Sequence, residues 1–411
     1  MGFTLGMVGA GQFSAHFASL FDLHPGVDRV TATDVLPERA GRLVDELGLA
    51  GTHVDFEAML ADPAVDAVAI FTQRWTHGPL VVRALEAGKH VYSAVPMATS
   101  REEIAAIIDA VERTGLTYMM GETSYYNPAT VFARKKLAAG EFGRVFYTEG
   151  DYLHDMHLGF YDAYRYSGGE AWKSTASYPP MWYPTHSIGG VLGAIPTHAV
   201  AVSCFGMRDH LGDGVFDTEV SMFDNDFSNM TALFHLADGG MMRINEFRRV
   251  GYPSPLRESR FRYFGTDGSF EQLATTSVWQ DKQGVSDVSD QIANREALSE
   301  DDPMLANVAP SLRKAFASGH APIHDEDTRR LPETYAHAPN GHEGSHQLLA
   351  DDFVRAVEQS AVPTVNAWVA ARFTLPGLVA MESARRGGER LEIDDLGPAP
   401  ERLEAATSGR A

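Results

Sequence analysis

The chain opens Met1-Gly-Phe-Thr-Leu-Gly-Met-Val-Gly9-Ala-Gly11-Gln12-Phe13-Ser14, an apolar run that stops at a glycine turn, and a second apolar run ends at Asp34. Few folds accept that layout. A buried strand, a tight turn and a helix open the βαβ unit that binds dinucleotides. Gly9 permits the turn, Gly11 lets backbone approach a pyrophosphate, and the helix opening near Phe13 aims unpaired N–H groups at negative charge, with Gln12 and Phe13 counted among the cofactor contacts. Ser14 replaces the usual third glycine and is still small enough for close helix–strand packing. Thr31-Ala-Thr-Asp34 sets a carboxylate about 20 residues on, where a ribose 2′-hydroxyl needs it. No arginine follows at once to accept a 2′-phosphate, so the expected cofactor is NAD rather than NADP. The plainer alternative is an ordinary βα unit with a surface aspartate.

At 411 residues the chain exceeds one compact core and is expected to form two domains. Its 34 basic and 55 acidic residues give a formal charge of −21, which repels nucleic acid and anionic membranes. A single cysteine, Cys204, excludes an intrachain disulfide and reads as a small buried hydrophobe. No basic or apolar leader precedes the first strand and no apolar run reaches membrane-spanning length, so a cytoplasmic protein is expected.

From Phe3 to about Gly121, short apolar runs at Phe3–Val8, Val30–Thr33, Ala67–Phe71, His90–Ser93 and Thr117–Met120 alternate with helical patterns such as Glu38–Leu47 and Arg101–Thr114. This alternation predicts an α/β, doubly wound (Rossmann) parallel sheet over residues 1–123. After Asn127-Pro128 the rhythm changes: a helix over Ala129–Ala139, then strands at Arg144–Tyr152, Asp217–Phe223, Asn229–His235, Gly240–Phe247 and Arg260–Gly265. Residues 124–395 are therefore expected to form an α+β domain with a large, mostly antiparallel open sheet. A polar stretch at about 280–340 reads as an insertion without an assigned fold. Helices return at His346–Gln359 and Ala367–Arg385, and 396–411 reads as a tail.

With these features assembled, the segment His77-Gly-Pro-Leu-Val-Val-Arg-Ala-Leu-Glu-Ala-Gly-Lys-His-Val-Tyr92 resembles the Gfo/Idh/MocA family of sugar-directed oxidoreductases. The resemblance covers nearly all of the chain outside the polar stretch. It implies that Gly88-Lys89-His90-Val91 leads into a Glu-Lys-Pro triplet, whose lysine reaches nicotinamide and a substrate hydroxyl, with a cis peptide commonly preceding the proline. Here the triplet reads Ala94-Val95-Pro96. Removing hydride from a secondary alcohol needs a group that takes the hydroxyl proton, an effect worth roughly 10²–10⁴ in rate. Valine cannot do this.

Tyr178-Pro-Pro-Met-Trp-Tyr183-Pro-Thr-His186-Ser187 offers a replacement. It resembles the Tyr-Pro-Thr-His segment of NAD-dependent glycosidases in the same family. His186 is the first candidate general acid/base, since imidazole titrates near neutral pH, and Tyr183 the second. The alternative is an aromatic loop in which His186 is merely hydrogen-bonded. Gly189-Gly-Val-Leu-Gly-Ala194-Ile-Pro196-Thr-His198 can also be laid on the family's Gly-Gly-x-Leu-x-Asp-x-Gly-x-His, but Ala194 and Pro196 mismatch, so His198 ranks lower.

Among cofactor contacts, the strand end at Thr72 is followed by Arg74 and His77, of which His77 is expected to order the loop. Pro96 retains the bend, and Glu122 resembles the position beside nicotinamide or closes a strand-end salt bridge. Tyr126, His154 and Lys173 are candidate substrate ligands. Gly341-His342-Glu343-Gly344-Ser345-His346 resembles a Gly-His-Gly-Gly segment lining the substrate cleft, which makes His346 a further candidate; Ser345 also suits a helix N-cap. His154 and His157 are spaced for a metal, but no third ligand is marked and no metal is expected.

The leading expectation is an NAD-dependent oxidoreductase transferring hydride at a ring carbinol carbon of a sugar. One alternative is glycoside cleavage by transient oxidation and elimination without net redox, and another a non-catalytic NAD-binding sensor. A homodimer or homotetramer is expected, because the open sheet face needs cover. No nucleic-acid or membrane partner is expected.

Overall fold

The computed structural model describes residues 2–251, 258–274, 276–292, 330–338 and 340–403. Contacts divide them into two compact units: the described residues of Met1–Thr123, His324–Arg372 and Leu396–Ala411, and those of Ser124–Ile323 and Phe373–Asp395.

The first unit is built on β1 (Phe3–Val8), β2 (Val27–Thr33), β3 (Gly51–Thr52), β4 (Ala67–Ile70), β5 (His90–Ser93) and β6 (Tyr118–Met120), all parallel in the order β3-β2-β1-β4-β5-β6. The central strands β1 and β4 are almost wholly apolar, as strands covered on both faces are: Leu5, Met7, Ala67, Val68, Ala69 and Ile70 are fully buried. Between strands run α1 (Gln12–Leu23), α2 (Pro37–Leu47), α3 (Phe56–Ala61), α4 (His77–Glu86) and α5 (Arg101–Thr114). α5 starts on a reciprocal cap, Ser100 accepting from Glu103 N at 3.1 Å while Glu103 accepts from Thr99 N at 2.9 Å. The Ser345–Gln359 helix, which the sequence reading grouped with the second domain, belongs to this unit. Its apolar face, Leu348, Leu349 and Phe353, is fully buried. Phe353 meets Phe21 of α1 edge-on at 6.1 Å and Tyr92 of β5 at 5.6 Å.

The second unit carries a nine-stranded sheet: β7 (Val145–Leu153), β8 (Ala199–Arg208), β9 (Phe227–Leu236), β10 (Met241–Phe247), β11 (Ser259–Gly265), β12 (Gly268–Gln272), β13 (Ser277–Asp281), β14 (Gly284–Asp287) and β15 (Leu391–Glu392). Its order is β14-β13-β12-β11-β7-β10-β9-β8-β15, with only β7 and β10 parallel. Inward and outward residues alternate, as in β9, where Met230, Ala232, Phe234 and Leu236 are buried and Leu233 is exposed. Its helices include α6 (Pro128–Ala138), α7 (Tyr161–Gly168), α8 (Trp172–Ala176), α9 (Thr185–Leu192) and the greater part of Ala367–Arg385. α9 lies against the sheet because two glycines remove the obstacle. A Cβ on Gly150 of β7 would sit 2.5 Å from the Ser187 carbonyl, and one on Gly190 would sit 2.1 Å from the Phe261 ring.

Three expectations differ from the structure. Asp217–Phe223 forms no strand; the Asp217 carboxylate instead accepts from Glu219 N, a local bond that favours turns, and its carbonyl accepts from Ser221 N. Strand β8, around Cys204, went unassigned. Of the polar stretch, β13 and β14 pair as a hairpin onto β12 and a helical turn follows at Ser289–Ile292, while 293–329 and 339 lie outside the described residues. Among the described residues no helix is long and apolar enough to cross a membrane.

Candidate functional site

The glycine turn at the end of β1 is shaped by sterics. Gly9 has φ +93°, and a Cβ there would lie 2.6 Å from the Phe71 carbonyl oxygen, so only glycine fits. Gly11 precedes α1, and a Cβ on it would meet nothing within 4 Å, leaving an open cradle at the helix N-terminus. Ser14 donates to the Gly11 carbonyl at 2.7 Å. At the end of β2, Asp34 accepts from Ala10 N at 2.7 Å and Leu36 N at 2.8 Å. Each carboxylate oxygen still has acceptor capacity for a ribose hydroxyl. The next residue, Val35, is 95% exposed and brings no cation. Open cradle, helix N-terminus and strand-end carboxylate fit NAD. Gln12 is the first residue of α1, and Phe13 beside it is 40% exposed.

Around this turn, the Thr72 and Thr76 hydroxyls share a hydrogen bond of 2.7 Å. The Val95–Pro96 peptide is cis, and Val95 is buried where the resemblance expected a lysine. His77 is buried between two carbonyls, 2.8 Å from that of Pro96 and 3.2 Å from that of Thr72. Burial lowers its pKa, against the pull of the two carbonyls, and the neutral ring's single N–H can serve one of them. Glu122, just beyond β6, is fully buried, and with burial itself it drives the Tyr92 phenol well above the usual tyrosine range.

His346 is also in the first unit and 1% exposed. Its ring lies 4.6 Å from Phe17, 5.4 Å from Phe13 and 6.0 Å from His16, with Nε2 2.8 Å from His342 Nδ1. Nδ1 has no hydrogen-bond partner among the described residues. Burial, then His342 and His16, take its pKa well below the ordinary histidine value. Ser345 does not cap the helix: Gly344 holds the cap position, and Ser345 begins the helix with its hydroxyl buried.

The second unit gathers the acid/base candidates. Pro184 precedes α9, and His186 lies in its first turn with Nε2 3.2 Å from the Tyr183 hydroxyl. The Tyr152 ring stands 4.8 Å from His186, and its hydroxyl lies 3.0 Å from His154 Nδ1. That nitrogen is 2.5 Å from the Glu258 carboxylate, and His154 Nε2 is 3.1 Å from the Leu158 carbonyl. Both nitrogens of His154 thus face acceptors. Burial raises the Tyr152 phenol well above its ordinary pKa, reinforced by Glu258.

Glu246, Arg248 and Tyr152, which sequence reasoning missed, complete this cluster. Glu246 is fully buried, accepting from Ser187 Oγ and, at 2.8 Å, from the buried Arg248 Nη2. The Arg248 guanidinium lies 5.0 Å from the Tyr152 ring centre. Burial pushes the Glu246 carboxyl up to about 7, against the opposing pull of Arg248, Ser187 and His186. A signal was present. On β10 the inward positions read Met242, Ile244, Glu246, so a carboxylate stands where alternation calls for an apolar residue.

Other candidates are placed elsewhere. Lys173 donates to the Asp213 carbonyl at 2.5 Å and, with His157, lines a separate cleft. Tyr126 is buried edge-on to Tyr125. His198 lies 3.7 Å from Asp395. Among the described residues, no group of three or more His, Cys, Asp or Glu could hold a metal.

Residues 3–122 match the GFO_IDH_MocA model, described as an oxidoreductase family with an NAD-binding Rossmann fold. The chain is 32% identical over 154 residues to scyllo-inositol 2-dehydrogenase (NAD(+)) of Bacillus subtilis, a stretch covering 38% of this chain and only 45% of that relative. It is 23% identical to a glycosyl hydrolase family 109 protein of Saccharopolyspora erythraea, covering 95% of this chain and 83% of the relative. Among solved structures, levoglucosan dehydrogenase in complex with NADH and levoglucosan shares the fold, with a TM-score of 0.71, 18% identity and coverage of 96% of this chain and 100% of that one. Residues 3–122 of the chain therefore carry the NAD-binding Rossmann domain of the Gfo/Idh/MocA oxidoreductase family.

Proposed function

We propose that this protein is an NAD-dependent oxidoreductase acting on a sugar or sugar derivative, with hydride moving at a ring carbinol carbon and His186 carrying the proton. The observation behind this reading is the His186–Tyr183 pair at 3.2 Å, set above a buried Glu246–Arg248 pair in a chain whose usual lysine position holds Val95. NAD, when bound, supplies the hydride acceptor. His186 takes the hydroxyl proton, and Tyr183, in hydrogen-bond reach of it, relays or holds that proton. A carboxylate near His186 favours the imidazolium formed, and Glu246, with its pKa near neutrality, supplies that charge in part. One matched relative is named for scyllo-inositol oxidation and another as a glycosyl hydrolase, which supports the substrate class.

A second reading, glycoside cleavage through transient oxidation and elimination, is favoured by Val95 and by the match to a glycosyl hydrolase family 109 protein along 95% of the chain. Absorbance at 340 nm with a panel of sugars, run beside a glycoside-release assay, separates the readings. Net NADH formation supports the dehydrogenase, and release without net NADH the cleavage. Silence in both with measurable NAD binding would leave only a sensor.

The open face of the second unit's sheet exposes Phe205, Met207 and Leu233. We take it as the face by which copies pair into a homodimer or homotetramer, which light scattering on the purified protein would test. A cytoplasmic location accords with use of the NAD pool.

A further inference from the structure

The turn Met156–Phe160 has two sides. On one, Phe160 stacks on His154 at 4.0 Å, and the Leu158 carbonyl meets the same imidazole. Through His154 and Tyr152 this side is joined to His186. On the other side, His157 and Gly159 wall a cleft of about 600 Å³ shared with Tyr161, Arg165, Trp172 and Lys173. No step of the chemistry above uses this cleft, yet its volume falls in the range of small-molecule sites, roughly 300–1,000 Å³.

The cleft rests on a braced floor. The Arg249 guanidinium bonds Asp209 at 3.0 Å, Asp213 at 3.0 and 3.1 Å, and the Tyr161 hydroxyl. Tyr161 in turn donates to Asp213 at 2.5 Å. Charges in and under the cleft are consequently matched already: Arg249 to Asp209 and Asp213, and Arg165 to Asp162 at 3.2 Å. Lys173 is held on the Asp213 carbonyl with two ammonium hydrogens still to place. Such a lining does not select a polyanion or a cation.

What it does present is aromatic surface flanked by donors. Trp172 lies edge-on to Tyr161 at 5.8 Å, and His157 lies 4.9 Å from the same tyrosine. Among the described residues the Trp172 indole N–H has ring and cation neighbours but no acceptor. A buried or half-buried indole N–H ordinarily finds a partner. A pyranose supplies both needs, an apolar C–H face for the ring and hydroxyl oxygens for the indole, imidazole and ammonium donors.

The geometry points to a second saccharide site in this cleft, taking a neutral sugar residue linked to the sugar that reaches His186. The inference rests on the reading of this protein as a sugar enzyme, and it makes the substrate an oligosaccharide or glycoside rather than a free monosaccharide. The test is calorimetric titration of the full-length protein with lactose, cellobiose, N,N′-diacetylchitobiose and their component monosaccharides. At least one disaccharide should bind about tenfold more tightly than its monosaccharides. Trp172→Ala should remove most of that advantage while leaving monosaccharide affinity within twofold, Trp172→Phe should keep part of it, and His157→Ala should weaken it severalfold. Equal affinity for disaccharides and monosaccharides, or a disaccharide advantage untouched by both alanine variants, overturns the proposal. His186→Ala keeps the two claims apart: it should cut turnover by about 10²–10⁴ and retain the disaccharide advantage. An advantage that persists in a protein turning over no sugar counts against the catalytic reading and not against the cleft.

Discussion

The two units keep their buried histidines in opposite company. In the first, His346 is packed among Phe13, Phe17 and two other imidazoles, with one ring nitrogen unpaired among the described residues and the pKa pulled well down. In the second, His186 meets a tyrosine hydroxyl and lies near a buried carboxylate whose pKa is pushed up to about 7. Imidazole alone therefore says little about role. A ring held neutral by an apolar nest can orient a helix, whereas one beside a phenol and near a buried carboxyl has partners for passing a proton.

The sharpest way to break this contrast is to remove each ring in turn. His186→Ala should lower kcat by about 10²–10⁴, the range for losing a general acid/base, with the thermal midpoint little changed. Tyr183→Phe should cost about tenfold. His346→Phe should leave kcat within about threefold, since its ring fills space among other rings. Steady-state kinetics beside thermal melts would decide, and a loss in His346→Phe matching that of His186→Ala would end the distinction.

The next effect falls on the cofactor turn. A Cβ on Gly11 meets no protein atom within 4 Å, and its φ of −78° suits any residue. Gly11→Val should therefore fold normally and still weaken NAD binding at least tenfold, about 1.4 kcal/mol, by filling the cradle. NADH fluorescence titration reads the affinity and a melt reads the fold. Unchanged affinity would mean that the dinucleotide lies elsewhere.

These effects also mark how far the sequence was legible. The first unit could be read because its signals are local: glycine turn, apolar strands and amphipathic helices recur within windows of a few residues, and β1, β5 and α5 begin and end where expected. The Ser345–Gln359 helix was recognised, but its partner was not, since contact with α1 spans more than 300 residues of chain. In the second unit, Tyr183 and His186 were visible as one segment, while Glu246, Arg248 and Tyr152 come from strands paired across the sheet. Nothing in the chain order announces that convergence. Glu246 could still have been suspected from its place in an inward-facing row.

The smallest expected effect tests the contrast most cleanly, because it turns on sign. Burial favours the neutral form of both groups, and for an acid and a base this has opposite consequences. Glu246, raised by burial from 4.5 to about 7, keeps its proton in the folded state where the unfolded chain has lost it. Its contribution to stability is present below about pH 4.5 and is lost as pH rises through 7. His346, lowered by burial from 6.5, stays neutral where the unfolded chain is protonated, so its contribution is present above pH 6.5 and is lost as pH falls. Each slope is bounded at about 1.4 kcal/mol per pH unit. Melts between pH 5 and 7.5 should therefore show Glu246→Gln gaining on the parent protein as pH rises, and His346→Phe gaining on it as pH falls. Differences running the same way in both variants would mean that one of the two groups does not titrate as its surroundings require.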